Sequence, residues 1–259
     1  MKIGFGVIVA LATVLPAAAE IRTETVLYQD GDTVMEGYLA RPGGPDTVRP
    51  AVLVIHDWDG LGAYEKRRTR QLAELGYVGF ALDIYGRGIR PKDPKASAAQ
   101  AGRYRTNRPL LRRRARAGLD RLLDTPGVDP GRVAAIGYCF GGGAALELAR
   151  SGAPVVGTVS FHGNLDTPSP EDARNIQGAV LVLHGAEDPH VTPEQLRAFR
   201  EEMSAAGVDW ILVEYGGAVH SFTNPGAGDD PSRGSAYDPA ADRRSWRAMQ
   251  DFLTERFGE

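Results

Sequence analysis

The stretch Ile136-Gly137-Tyr138-Cys139-Phe140-Gly141-Gly142-Gly143 restricts this chain more than any other. The apolar run Arg132–Ile136 leads into it as a short buried strand, and Ala144–Arg150 leads out with a helical pattern. A strand that turns at once into a helix leaves no room for Cβ atoms at Gly137 and Gly141, and it holds the residue between them in a strained backbone with its side chain raised above the sheet. The pattern is Gly-x-Ser-x-Gly with Cys139 in the Ser position. The helix that starts there aims its N–H groups at the sulfur, so a lowered thiol pKa is expected. Two other readings compete. A lone cysteine is often a small buried hydrophobe. A glycine cluster after a strand can also cradle phosphate, but neither Gly-x-Gly-x-x-Gly nor a Gly-Lys-Ser/Thr ending is present.

The N-terminus narrows the setting. Met1-Lys2, an apolar run from Ile3 to Leu15 and Pro16-Ala17-Ala18-Ala19-Glu20 form the pattern of a secretory signal peptide over residues 1–19, with cleavage expected after Ala19. The run is short for a bilayer span. A secreted or periplasmic location is therefore expected, with no membrane attachment after cleavage and one α/β domain over residues 20–259. Without Lys2, 29 basic residues face 33 acidic ones, a balance of −4 that implies no nucleic-acid partner. Cys139 is the only cysteine, so no intramolecular disulfide can form, and retention of an unpaired thiol in an oxidising compartment points to a chemical role.

Along the chain, Thr23–Tyr28 and Thr33–Arg41 read as strands joined by the turn Asp30-Gly31-Asp32. Ala51–Ile55 is a continuous apolar run of the kind found inside parallel sheets. A helix is expected over 63–75, with Leu72 and Leu75 on its apolar face. Tyr77–Asp83 is the next strand, followed by a mostly helical, arginine-rich segment over 92–123. That segment, with Arg103, Arg105, Arg108, Arg112, Arg113, Arg114, Arg116 and Arg121, reads as a solvated, salt-bridged face from which one or two arginines can turn toward an anionic substrate. Strands follow at Pro154–Phe161, Ala179–Leu183 and Asp209–Glu214. A helix capped by Thr192 with Pro193 in its first turn runs to about Ala206, and Asp229–Asp238 reads as a polar loop. The last helix spans Pro239–Phe257, with Trp246, Met249 and Phe252 inward. This alternation predicts a parallel sheet with helices on both faces and a site at the carboxyl ends of its strands, where His56, His162, His184, His190 and His220 all fall.

Cys139, Asp188 and His220 stand in the chain order nucleophile, acid, histidine, each after a strand. His220 can take the thiol proton and return it to a leaving group, while Asp188 fixes the imidazole tautomer and stabilises its cationic form. An oxyanion needs two N–H donors, expected from the backbone of Phe140 and of Trp58. His184, Asp188 and His190 match no standard metal spacing, so no metal is expected.

Gly137-Tyr138-Cys139-Phe140-Gly141-Gly142, Asp83-Ile84-Tyr85-Gly86, Gly185-Ala186-Glu187-Asp188 and His220-Ser221-Phe222 together resemble the dienelactone hydrolase family of α/β-hydrolases. The resemblance implies an α/β-hydrolase fold with a mostly parallel eight-stranded sheet, and no cofactor. It also marks Asp57, Tyr85 and Asn224 as candidate thiol-activating or substrate contacts. Asp57 stands where family enzymes carry a Glu near the resting thiol, and Asn224 where they carry a substrate-binding arginine. The expected function is cysteine-dependent hydrolysis of a small-molecule ester or lactone through an acyl-thioester. The alternative is a non-catalytic protein that keeps the pocket to bind a small ligand. A thiol redox protein would need a resolving cysteine, and the chain has none.

Overall fold

The computed structural model describes residues 20–44 and 47–259, so the expected signal peptide over 1–19 lies outside the described residues. Eight strands form one sheet: β1 (Ile21–Asp30), β2 (Thr33–Pro42), β3 (Arg49–Ile55), β4 (Val78–Leu82), β5 (Val128–Tyr138), β6 (Gly157–Phe161), β7 (Ala179–Gly185) and β8 (Trp210–Tyr215). Their order is β1-β2-β4-β3-β5-β6-β7-β8. The β1–β2 hairpin is antiparallel and β2 meets β4 antiparallel, while all strands from β4 to β8 in that order run parallel. The expected mostly parallel eight-stranded sheet is therefore present.

Burial on both faces explains the apolar runs. In β3, Ala51, Leu53 and Ile55 face one core, while Val52 and Val54 face the other. The first face is covered by α2 (Pro94–Arg105), α3 (Arg108–Leu123) and α4 (Phe140–Arg150), and farther along by α5 (Pro193–Ala206). The second face is covered by α1 (Ala63–Glu74) and α6 (Pro239–Phe257). Every residue of α4 is buried, as its Gly/Ala-rich sequence permits: small side chains let the helix lie close against the sheet. Met249 and Phe252 point inward as expected, and Trp246 packs at the edge of their cluster.

One local expectation needs correction. Leu72 is buried, but Leu75 is 40% exposed, because α1 ends at Glu74 and Leu75 sits on its C-cap. The arginine-rich segment is mostly helical, as expected, and is built as two helices. Asn107 caps the second by accepting the Leu110 N–H at 3.1 Å, and Pro109 cannot supply the N–H that would continue the first. Its arginines mostly pair as expected. Arg112 meets Glu147 and Asp172, which joins α3 to the fully buried Arg150, itself paired with Glu147 and Glu202.

Candidate active site

The loops after β3, β5, β7 and β8 meet above the carboxyl edge of the sheet. Cys139 is the N-cap of α4 and has φ 51°, ψ −115°, a conformation that L-residues rarely adopt. A Cβ on Gly137 would lie 2.0 Å from the Gly141 carbonyl oxygen, and one on Gly141 would lie 2.2 Å from the Ile55 oxygen. Both glycines are thus required by the close approach of three backbone segments, as the motif implies.

The sulfur of Cys139 lies 3.0 Å from His220 Nε2, and His220 Nδ1 lies 2.7 Å from Asp188 Oδ2. Asp188 sits in the turn after β7, where its N–H donates to the Gly185 carbonyl and its Oδ1 accepts the His190 N–H at 2.8 Å. His220 is held by the segment expected to be a plain polar loop: its N–H donates to Gly234 O, and its carbonyl accepts from the Ala236 N–H at 3.0 Å. Since an ionised carboxylate only accepts, Nδ1 carries the proton and Nε2 turns its lone pair to the thiol. Burial pushes the Asp188 carboxyl up, but its hydrogen bond to His220 and the charge there outweigh burial and hold it below its ordinary value.

The expected lowering of the thiol pKa is not what the resting site gives. Burial of Cys139 is the largest influence, and the charge and hydrogen bond of the Asp57 carboxylate add to it, so the thiol is pushed well above its ordinary value. The Phe140 N–H and the charge of Arg105 pull the other way and lose. The dipole at the helix N-terminus falls off within one turn, whereas desolvation acts on the whole ion. Asp57 does reach the thiol despite being one methylene shorter than Glu, and burial raises its own carboxyl pKa as well.

The backbone of Trp58 is committed in the resting site, with its N–H donating to Asp57 Oδ1 at 2.5 Å. Two neighbours fix this loop. His56, fully buried, donates Nδ1–H to the Asp57 carbonyl at 2.6 Å and accepts the Ile84 N–H on Nε2 at 3.1 Å. Burial lowers its pKa to about 4, so the imidazole stays neutral. Glu65 accepts the Asp57 and Gly62 N–H groups, at 3.2 and 2.8 Å.

A cavity of about 340 Å³ opens beside the sulfur, lined by Trp58, Arg105, Cys139, Asn164, His190, His220, Ser221 and Ser235. Tyr85 and Asn224 are not among these residues. Tyr85 is buried and donates its hydroxyl to the Trp58 carbonyl at 2.8 Å, so it supports the wall from behind. Asn224 turns its side chain onto the Gly226 N–H at 2.9 Å and caps a short helical turn. The cavity instead presents Arg105, which has no ion-pair partner among the described residues and whose guanidinium carbon lies 5.9 Å from the Phe140 ring centre. Its Nε is buried without a hydrogen-bond partner. The sequence carries no signal that puts Asn164, Ser221 or Ser235 in the pocket. His190, two residues after Asp188, carries a local one.

Comparison with known proteins places the chain in a family. The chain is 40% identical over 153 residues to the uncharacterized protein K02A2.1 of Caenorhabditis elegans, covering 57% of this chain and 94% of that one. It is similar to the solved structure titled m3DLH, with TM-score 0.88, 41% identity and coverage of 92% and 99%. It is also similar to the dienelactone hydrolase-like promiscuous phosphotriesterase P91 from metagenomic libraries, with TM-score 0.86, 41% identity and coverage of 91% and 98%. Residues 35–257 match the dienelactone hydrolase family, so the chain belongs to that family and is a hydrolase of ester or lactone bonds.

Proposed function

We propose that the hydrolase works by covalent catalysis at Cys139, with His220 as general base and acid and Asp188 as the group that orients it. The observation that carries this is the single file Sγ–Nε2 at 3.0 Å and Nδ1–Oδ2 at 2.7 Å, shielded from water and facing a small cavity. His220 takes the thiol proton as the sulfur attacks the acyl carbon. The carbonyl electrons move to oxygen, toward the Phe140 N–H and, once the Asp57 carboxylate turns away, the Trp58 N–H. Collapse expels the alcohol, which receives the proton from His220. Water then loses a proton to His220 and attacks the thioester, the acid departs, and the proton returns to sulfur. Because the resting thiol is held protonated, attack depends on proton transfer to His220 within the complex. Good leaving groups, as in activated esters and enol lactones, suit such a nucleophile. Arg105 favours a substrate that carries a negative charge near the scissile bond.

The test is steady-state hydrolysis of p-nitrophenyl acetate and of a dienelactone, under reducing conditions, by wild type and Cys139→Ala. Background rates in the variant, together with an acetyl adduct on Cys139 in quenched wild-type protein, are expected. Wild-type turnover in Cys139→Ala would remove the cysteine mechanism. Phosphotriester cleavage is a second activity to assay, favoured by the 41% identity to P91 over 91% of this chain. Paraoxon turnover lost in Cys139→Ala is the expected sign that the same sulfur serves it.

A further inference from the structure

His162 lies outside the file of catalytic groups, yet it is fully buried and touches both ends of the reacting pair. Its Nδ1 accepts the backbone N–H of Cys139 at 3.1 Å, and its Nε2 lies 2.7 Å from Thr223 Oγ1. Its ring stands 5.2 Å from that of His220 and 5.1 Å from that of Phe222, edge to face with both. A backbone N–H can only donate, so Nδ1 holds a lone pair and Nε2–H donates to Thr223. Thr223 Oγ1 in turn lies 2.6 Å from the Tyr64 hydroxyl, which accepts from Arg68 Nε at 3.3 Å. Arg68 also donates to the Thr223 carbonyl at 2.8 Å and pairs with Asp242 of α6.

Two observations separate this from an ordinary satisfied core histidine. The Cys139 N–H already has a good acceptor, the Phe161 carbonyl at 3.0 Å, so a second is not needed to satisfy it. And His162 holds φ 40°, a strained value, in the conformation that makes that redundant bond. Strain accepted for a bond that satisfaction does not require points to a geometric role. Burial, helped by the nearby charge of Arg68, keeps the imidazole neutral and so keeps the lone pair aimed at residue 139.

We propose that His162 is a positioning residue that ties the nucleophile's backbone to the loop carrying His220, through Thr223, and thereby sets the 3.0 Å contact between Sγ and Nε2. This rests on the triad mechanism proposed above. Thr223 is three residues beyond His220, so release of the strut lets the two loops drift independently. Displacements on the order of 1 Å between reacting groups cost about 10²-fold in rate.

The experiment compares wild type, Thr223→Val, Thr223→Ser, Tyr64→Phe and Cys139→Ala on p-nitrophenyl acetate, with iodoacetamide alkylation of Cys139 at neutral pH as an independent readout. Thr223→Val keeps the shape and removes the acceptor. Its kcat should fall about 10- to 100-fold with KM within about twofold, and alkylation should slow in parallel. Thr223→Ser should restore most of both, and Tyr64→Phe should give a smaller loss in the same direction. A merely structural strut would lower the melting temperature and leave kcat and alkylation alone, which would overturn the proposal. Should Thr223→Val fail to fold, Tyr64→Phe decides: wild-type kcat and alkylation there overturn it too. Full turnover in Cys139→Ala would sink the triad and this proposal together, whereas a dead Cys139→Ala beside an unaffected Thr223→Val sinks only this one.

Discussion

The two ends of the sheet make an instructive pair. At the amino ends of β5 to β8 lies a cavity of about 770 Å³, lined by residues such as Pro130, Val155, Gln177 and Asp209. At the carboxyl ends, the cavity beside Cys139 is about 340 Å³. The larger one gathers no thiol or imidazole, and its cation Arg256 is ion-paired with Asp209 at 3.0 Å and with Glu255, although its Nε is buried without a hydrogen-bond partner. The smaller one gathers a thiol, imidazoles, a buried carboxylate and an arginine without an ion-pair partner. Strain follows the same division. Among the described residues the non-glycine positions with positive φ are Cys139, His162 and Ser221, all at the carboxyl rim. Volume alone therefore does not mark a site here, while convergent polar groups on strained backbone do.

The largest effect that could break this contrast is on turnover. Cys139→Ala should cost about 10³-fold or more in kcat/KM, and Gln177→Ala in the amino-end cavity less than about twofold. Comparable losses would mean that the amino end takes part. Next comes backbone crowding. Gly141→Ala drives a Cβ to 2.2 Å from the Ile55 carbonyl oxygen and should cost more than about 4 kcal/mol in urea unfolding or prevent folding. Gly207→Ala, at the amino end with φ 71° and open space around it, should cost only about 1 kcal/mol.

A third measurement concerns pH. Burial first, then the charge of Asp57, raises the Glu65 carboxyl to about 7 from its ordinary 4.5. Between those values the native state holds a proton that the unfolded chain has released. Its contribution, on the order of 3 kcal/mol, is therefore full below about pH 4.5 and lost as pH rises through about 7. Urea midpoints measured across that window should show the decline in wild type and a flatter profile in Glu65→Gln, and identical profiles would show that this carboxyl does not titrate there. The smallest predicted effect is at the thiol. Asp57→Asn removes the charge that helps hold the thiol pKa up, so the pH profile of iodoacetamide alkylation should move toward lower pH. No movement would leave burial as the sole cause.

Much of this was legible in the chain. The run Ala51–Ile55, the glycines around Cys139 and the Asp188 and His220 loops are local patterns with local causes, and the sheet and the meeting of the three residues follow from them. The break between α2 and α3 was also written, in Asn107-Arg108-Pro109, but the arginine pattern masked it. Other features had no local signature. Which of many arginines faces the pocket depends on how α2 ends over Phe140. The raised thiol pKa needed the burial of Cys139 and the reach of Asp57, neither of which spacing reveals. Tyr85 and Asn224 carry family positions, yet their side chains bond to the Trp58 carbonyl and the Gly226 N–H, respectively.

The positive φ at Cys139 has an evolutionary consequence. Glycine tolerates that backbone and every other residue resists it, so Cys139→Gly should melt higher than Cys139→Ala, by about 1 kcal/mol of stability. The backbone alone thus favours the absence of a side chain at this position. A descendant released from the need to turn over substrate would be free to drift toward glycine there and grow sturdier as it lost its chemistry. Glycine at this one position is then the mark to look for in related chains that have become binders, and a side chain there is the mark of a chain still held to its reaction.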